Sequence, residues 1–120
     1  MTIMDTYDKG LAIKSLVLLT LQEELTLNGE QLIHRVDDKI KKLQKERPGV
    51  DFVGWVGTTI FGVLNTFAMI GFITYSGPKP QSDDYWRLYP IQISKFGEKF
   101  LANVRAEAPH VIAFIENGSS

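Results

Sequence analysis

At 120 residues the chain has room for one domain of the usual ~100–150 residues, so a second, separate catalytic domain is not expected. With 44% hydrophobic and 22% charged residues it can bury a core as a soluble protein; without cysteine it excludes disulfides, thiolate metal sites and cysteine nucleophiles, and a cytoplasmic setting is expected. A net charge of −1 lacks the basic surplus usual in a domain that grips DNA as a monomer, so any such contact must come from a local basic face.

The opening MTIMDTYDKG carries acids and no apolar run with a cleavage site, so no signal peptide is expected. Over 7–24, Leu11, Ile13, Leu16, Val17, Leu19 and Leu21 predict a strongly apolar first helix, with Lys9, Lys14, Gln22 and Glu23 left for solvent. Such a helix belongs at the centre of the core; Asp5, Thr6 or Asp8 could cap it. The second helix has a sharper start. Asn28 is a good N-cap, Gln31 stands three residues later as in a capping box, and Leu27 with Leu32 can form the hydrophobic staple. Leu32, Ile33, Val36, Ile40 and Leu43 keep one apolar seam to about Lys45, and Pro48-Gly49 ends it. The opposite side sets Arg35, Lys39, Lys41, Lys42, Lys45 and Arg47 against Asp37, Asp38 and Glu46. Two readings stay open for it, a solvated helix face and a phosphate-contacting one.

Residues 57–75 organise the rest: Ile60, Phe61, Leu64, Phe67 and Ala68 follow helical spacing, Gly71 tolerates the left-handed turn that ends helices, and Phe72-Ile73-Thr74-Tyr75 suits a strand. No charged side chain occurs over 52–78, a length that invites a membrane reading. Four glycines, four threonines and Asn65 within 52–74 argue against it. Residues 76–84 are turn-rich. A second strand is expected over 85–93, with Trp86, Leu88, Ile91 and Ile93 facing inward and Pro90 requiring an edge or a bulge. Ser94 then caps a helix that buries Phe96, Phe100, Leu101 and Val104, Pro109 opens a further helical segment, and residues 117–120 should fray.

No catalytic constellation emerges. His34 and His110 belong to no spaced ligand set, and Asp37-Asp38 and Asp83-Asp84 have no histidine near them in sequence, so neither an enzyme nor a metal or cofactor is expected. Gly54, Gly57 and Gly62 are not followed by the lysine of a phosphate loop. Trp55 and Trp86 suit packing, or the flank of an aromatic pocket.

The expected fold is α+β: a mainly helical winged helix-turn-helix with a two-stranded β-hairpin wing over residues 1–106, and a C-terminal segment over 107–120. The run Leu64-Asn-Thr-Phe67-Ala-Met-Ile-Gly71-Phe-Ile73 resembles the end of the recognition helix in winged-helix transcriptional regulators of the PadR and MarR type. Tyr89-Pro-Ile-Gln-Ile-Ser94-Lys-Phe-Gly97-Glu-Lys-Phe-Leu101 is similar to their second wing strand running into a helix, and Leu25-Thr-Leu-Asn-Gly29-Glu-Gln-Leu32-Ile-His-Arg-Val36 to the entry of their second helix. Together these segments span about residues 10–105, with the small PadR-like group the nearest fit.

The resemblance implies a homodimer on duplex DNA, joined through the C-terminal segment by Val111, Ile112, Phe114 and Ile115. It also implies that Thr58, Thr59, Gly62, Asn65 and Thr66 face the major groove. Lys41, Lys42, Lys45, Arg47 and Lys79 would clamp phosphates. The chain departs from the family in having no Lys or Arg between Arg47 and Lys79. That departure keeps a second reading in play, a winged-helix protein-interaction module that has lost DNA binding.

Overall fold

The computed structural model describes residues 6–24, 26–46, 58–78 and 86–117. Its elements are α1 (Thr6–Glu23), β1 (Leu27–Asn28), α2 (Gly29–Glu46), α3 (Thr58–Ile70), β2 (Ile73–Tyr75), β3 (Pro90–Ile93), α4 (Lys95–Glu107) and α5 (Pro109–Asn117). This is an α+β arrangement, mostly helical, with a small three-stranded antiparallel sheet.

Helix α1 is apolar nearly all round, and it has neighbours on every side that needs them. Ala12, Ile13, Leu16, Val17, Leu18, Leu19 and Leu21 are all buried, and α2, α4, α5 and β3 pack around them. Two polar side chains are carried inside with them. Thr20 Oγ1 donates to the Leu16 carbonyl, 2.7 Å, whereas buried Ser15 Oγ has no hydrogen-bond partner among the described residues.

The start of α2 forms as the local residues dictate: Gln31 N donates to Asn28 Oδ1, 2.8 Å, and Asn28 N to Gln31 Oε1, 3.0 Å, a reciprocal capping box. Leu32, Val36, Ile40 and Leu43 then form the buried seam.

The sheet corrects the expectation of a two-stranded hairpin. Strand order is β1-β3-β2, with Leu27 opposite Ile91 on one side of β3 and Ile73 opposite Ile93 on the other. Pro90 therefore stands in the central strand, tolerated as its first residue. The second strand is also shorter than expected, because Trp86 and Arg87 form a short 3₁₀ turn. Alternation consequently fails upstream of Pro90: Trp86 is buried, while Leu88, expected inside, is 75% exposed.

Gly71 ends α3 with φ +81°, and Phe72 N donates back to the Phe67 carbonyl, 2.9 Å, the long bond of a Schellman cap. Ser94 caps α4, accepting from Gly97 N at 3.1 Å while its hydroxyl donates to the Gly71 carbonyl. Gly97 lies so close to the Phe72 carbonyl that a Cβ there would collide with it. Leu101 and Val104 are buried on α4, but Phe96, expected in that face, is 67% exposed.

Helix α5 begins at Pro109 and joins the same core. The uncharged run over 52–78 becomes, where described, a 13-residue helix, a turn and a strand. That helix measures about 20 Å, short of the ~30 Å hydrocarbon layer. Among the described residues no helix is long and apolar enough to cross a membrane.

Candidate nucleic-acid interface

Helix α3 buries Ile60, Phe61, Leu64 and Phe67 and turns Gly62, Asn65, Thr66, Met69 and Ile70 outward. Of the positions expected to face a groove, Gly62, Asn65 and Thr66 thus share one surface. Thr58 and Thr59 open the helix, but their side chains fall outside the described residues, as do Arg47 and Lys79.

Neither polar side chain on this face is uncommitted. Thr66 Oγ1 donates to the Gly62 carbonyl, 3.1 Å. Asn65 Oδ1 accepts the indole N–H of Trp86 at 2.7 Å. A bidentate pairing with adenine needs both the oxygen and the amide of an asparagine, so it would compete with Trp86 for that oxygen.

Trp86 is only 1% exposed, and its surroundings explain why. Tyr75 meets it edge-on at 5.2 Å between ring centres, Tyr89 at 6.3 Å, and the two tyrosines stack on each other at 6.0 Å. Gly29, the first residue of α2, abuts the Trp86 carbonyl so tightly that any Cβ would clash with it. Next in the chain, the Arg87 guanidinium lies 5.2 Å from the centre of the Phe61 ring. Trp86 therefore packs the base of the β2–β3 connection against α2 and α3; Trp55 lies outside the described residues.

The basic side of α2 is largely neutralised from within. Arg35 pairs with Glu24 at 2.9 Å and Lys39 with Glu23 at 2.6 Å, fastening α2 to the end of α1. Lys39 Nζ also donates to Thr20 Oγ1, 3.2 Å. Lys41 pairs with Asp37 one turn earlier at 3.0 Å. That hydrogen bond, then the charge of Asp37, raises the Lys41 pKa above its ordinary 10.5. Lys41, Lys42 and Lys45 are exposed, and Lys45 in the last turn has no ion pair among the described residues.

The four residues assigned to dimerisation are placed differently from the expectation. Val111 is fully buried, and Ile112, Phe114 and Ile115 are 4–8% exposed, because α5 packs on α1 and α4. Arg105 and Glu116 close the α4–α5 pair at 2.6 Å. Among the described residues the exposed large apolar side chains are Met69, Ile70 and Phe96, near the junction of α3 and α4, together with Leu88. His34 and His110 are both exposed, and no group of three His, Asp or Glu that could hold a metal occurs among the described residues.

One concavity was not anticipated by the sequence reading: a cleft of about 390 Å³ between α1, α3 and α4, walled by Leu11, Phe67, Ile70, Phe72 and Phe100 and bordered by Lys14. Its only sequence signal was an excess of phenylalanine at the ends of α3 and α4.

No family model, curated protein or solved structure matches the chain.

Proposed function

We propose that the chain is a winged-helix regulator that binds duplex DNA, with α3 directed to the major groove and cations of α2 on the phosphates. The observation that supports this above the others is the order of elements: two helices after α1, the second running through Gly71 directly into an antiparallel ladder. Lys41, Lys42 and Lys45, with Arg47 and Lys79, would supply the salt-dependent part of the affinity. Base reading would rest on Thr58, Thr59, Gly62 and Thr66. Asn65 would join only where Trp86 gives up its hydrogen bond.

Fluorescence anisotropy with labelled duplexes tests this. Affinity should fall steeply between ~50 mM and ~200 mM salt. The triple change Lys41→Glu, Lys42→Glu, Lys45→Glu should weaken binding to all duplexes about equally. Absence of binding even at ~50 mM salt would sink the proposal.

One observation favours the second reading, an interaction module. Met69 at 85% exposure and Ile70 at 51%, in the last turn of a reading helix that carries no cation, and Phe96 at 67% near it leave apolar surface exposed. If the chain pairs with a second copy, as the family resemblance implies, these exposed apolar side chains would be candidates for the contact alongside the exposed side of α5.

A further inference from the structure

The cleft between α1, α3 and α4 has one chemistry along its walls and another at its rim. Three phenylalanines are in contact through it: Phe67 and Phe72 lie 5.5 Å apart between ring centres, and Phe72 and Phe100 4.8 Å apart. Leu11 of α1 and Ile70 of α3 complete the apolar walls. At the border stands Lys14, exposed, with no ion pair or hydrogen bond among the described residues, unlike Arg35, Lys39, Lys41 and Arg105. The other polar side chain there, Thr66, already donates its proton to the Gly62 carbonyl and can only accept.

That inventory selects a ligand. A phosphate or nucleotide needs several converging donors, and the described rim provides one cation. A cationic amphiphile would meet Lys14 as a like charge. A neutral polar metabolite would lose its water against the phenyl rings without compensating hydrogen bonds. An apolar body ending in a single anionic head meets both requirements, and about 390 Å³ lies at the lower end of the ~300–1,000 Å³ range of small-molecule sites. The apolar side chains beyond its mouth favour a flexible chain over a flat ring. Ile70 continues the apolar wall outward beside exposed Met69, and Phe96, one turn before Phe100, lies against Gly71, so the hydrophobic strip is longer than the cleft.

We propose that this cleft binds a medium-chain aliphatic monocarboxylate, its hydrocarbon chain against Phe67, Phe72 and Phe100 and its carboxylate on the Lys14 ammonium. The proposal goes beyond the DNA-binding reading and stands or falls separately from it.

Calorimetric titration of the full chain with decanoate, below the concentration at which it forms micelles, tests it. Saturable one-to-one binding is expected, with decanol and decylammonium at least tenfold weaker. Lys14→Gln should reduce decanoate affinity about tenfold and leave decanol unchanged, because only the carboxylate loses its partner. Ile70→Glu, at a half-exposed position that should not disturb folding, should abolish decanoate binding by placing an anion in the mouth. Amide chemical-shift changes should centre on Phe72 and Phe100. The proposal is overturned if decanoate does not saturate, if decylammonium binds as well as decanoate, or if Lys14→Gln binds decanoate like the wild type.

Discussion

Helix α5 and the last turn of α3 are both apolar, yet α5 buries Val111, Ile112, Phe114 and Ile115 while α3 leaves Met69 and Ile70 exposed. The difference lies in what stands beside them. Helix α1 is apolar on several sides at once, and α5 and α4 cover one of them together. The last turn of α3 ends at Gly71, where the chain turns into β2, and no described element covers Met69. Apolar composition in a segment therefore does not say which surface a protein offers; the supply of apolar neighbours decides.

The widest separation between the two regions should appear in stability. Ile112→Ala should cost about 2–5 kcal/mol in urea unfolding, the usual range for a large-to-small change in a packed core. Met69→Ala should stay within about 0.5 kcal/mol of the wild type. Similar costs at the two positions would mean that the end of α3 is covered in solution, for example by a second copy, and the contrast would fail. A smaller effect is expected on the polar side of α3. Asn65→Ala leaves the buried Trp86 N–H without its acceptor and should cost about 1–3 kcal/mol. In the background of Trp86→Phe, which has no N–H to satisfy, the same change should cost much less; equal costs in both backgrounds would show that the hydrogen bond does not hold α3 to the base of the hairpin.

The smallest effect belongs to α2. Because Asp37 raises the Lys41 pKa above 10.5, the Lys41–Asp37 pair contributes stability fully present below 10.5 and lost as pH rises through the higher folded value. Lys41 is largely exposed and Asp37 partly so, and the contribution is slight. The unfolding midpoints of the wild type and Asp37→Asn should differ a little at neutral pH and converge in strong alkali. A gap that widens with alkali would contradict the pairing.

What could be read in the sequence was local. The Asn28–Gln31 box, the glycine stop at Gly71 and the Ser94 cap each depend on residues within a few positions, and each forms as expected. Strand β1 could not be read, since two residues become a strand only by pairing with Ile91 and Pro90 far along the chain. The burial of α5 and the exposure of Phe96 and Leu88 are likewise set by neighbours distant in sequence. At the candidate interface, Asn65 is exposed as the resemblance implies, but nothing local could show that Trp86, 21 residues later, claims its oxygen. The cleft was hardly legible for the same reason: its walls come from α1, α3, the turn at Phe72 and α4, which no periodicity relates.

Ser94 has a consequence for how this chain could vary. Its hydroxyl bonds the Gly71 carbonyl, its oxygen receives the Gly97 amide, and its own N–H reaches the Phe72 carbonyl at 3.0 Å. Ser76 N adds a bond to the Pro90 carbonyl, 3.2 Å. The excursion between Tyr75 and Pro90 thus leaves and returns through a gate whose two posts are fastened together from outside it. Doubling the length of such an excursion costs only about 0.6 kcal/mol of closure entropy. Residues added after Pro78 and before the buried Trp86 can therefore lengthen this connection while Ser94 keeps α3 and α4 in place.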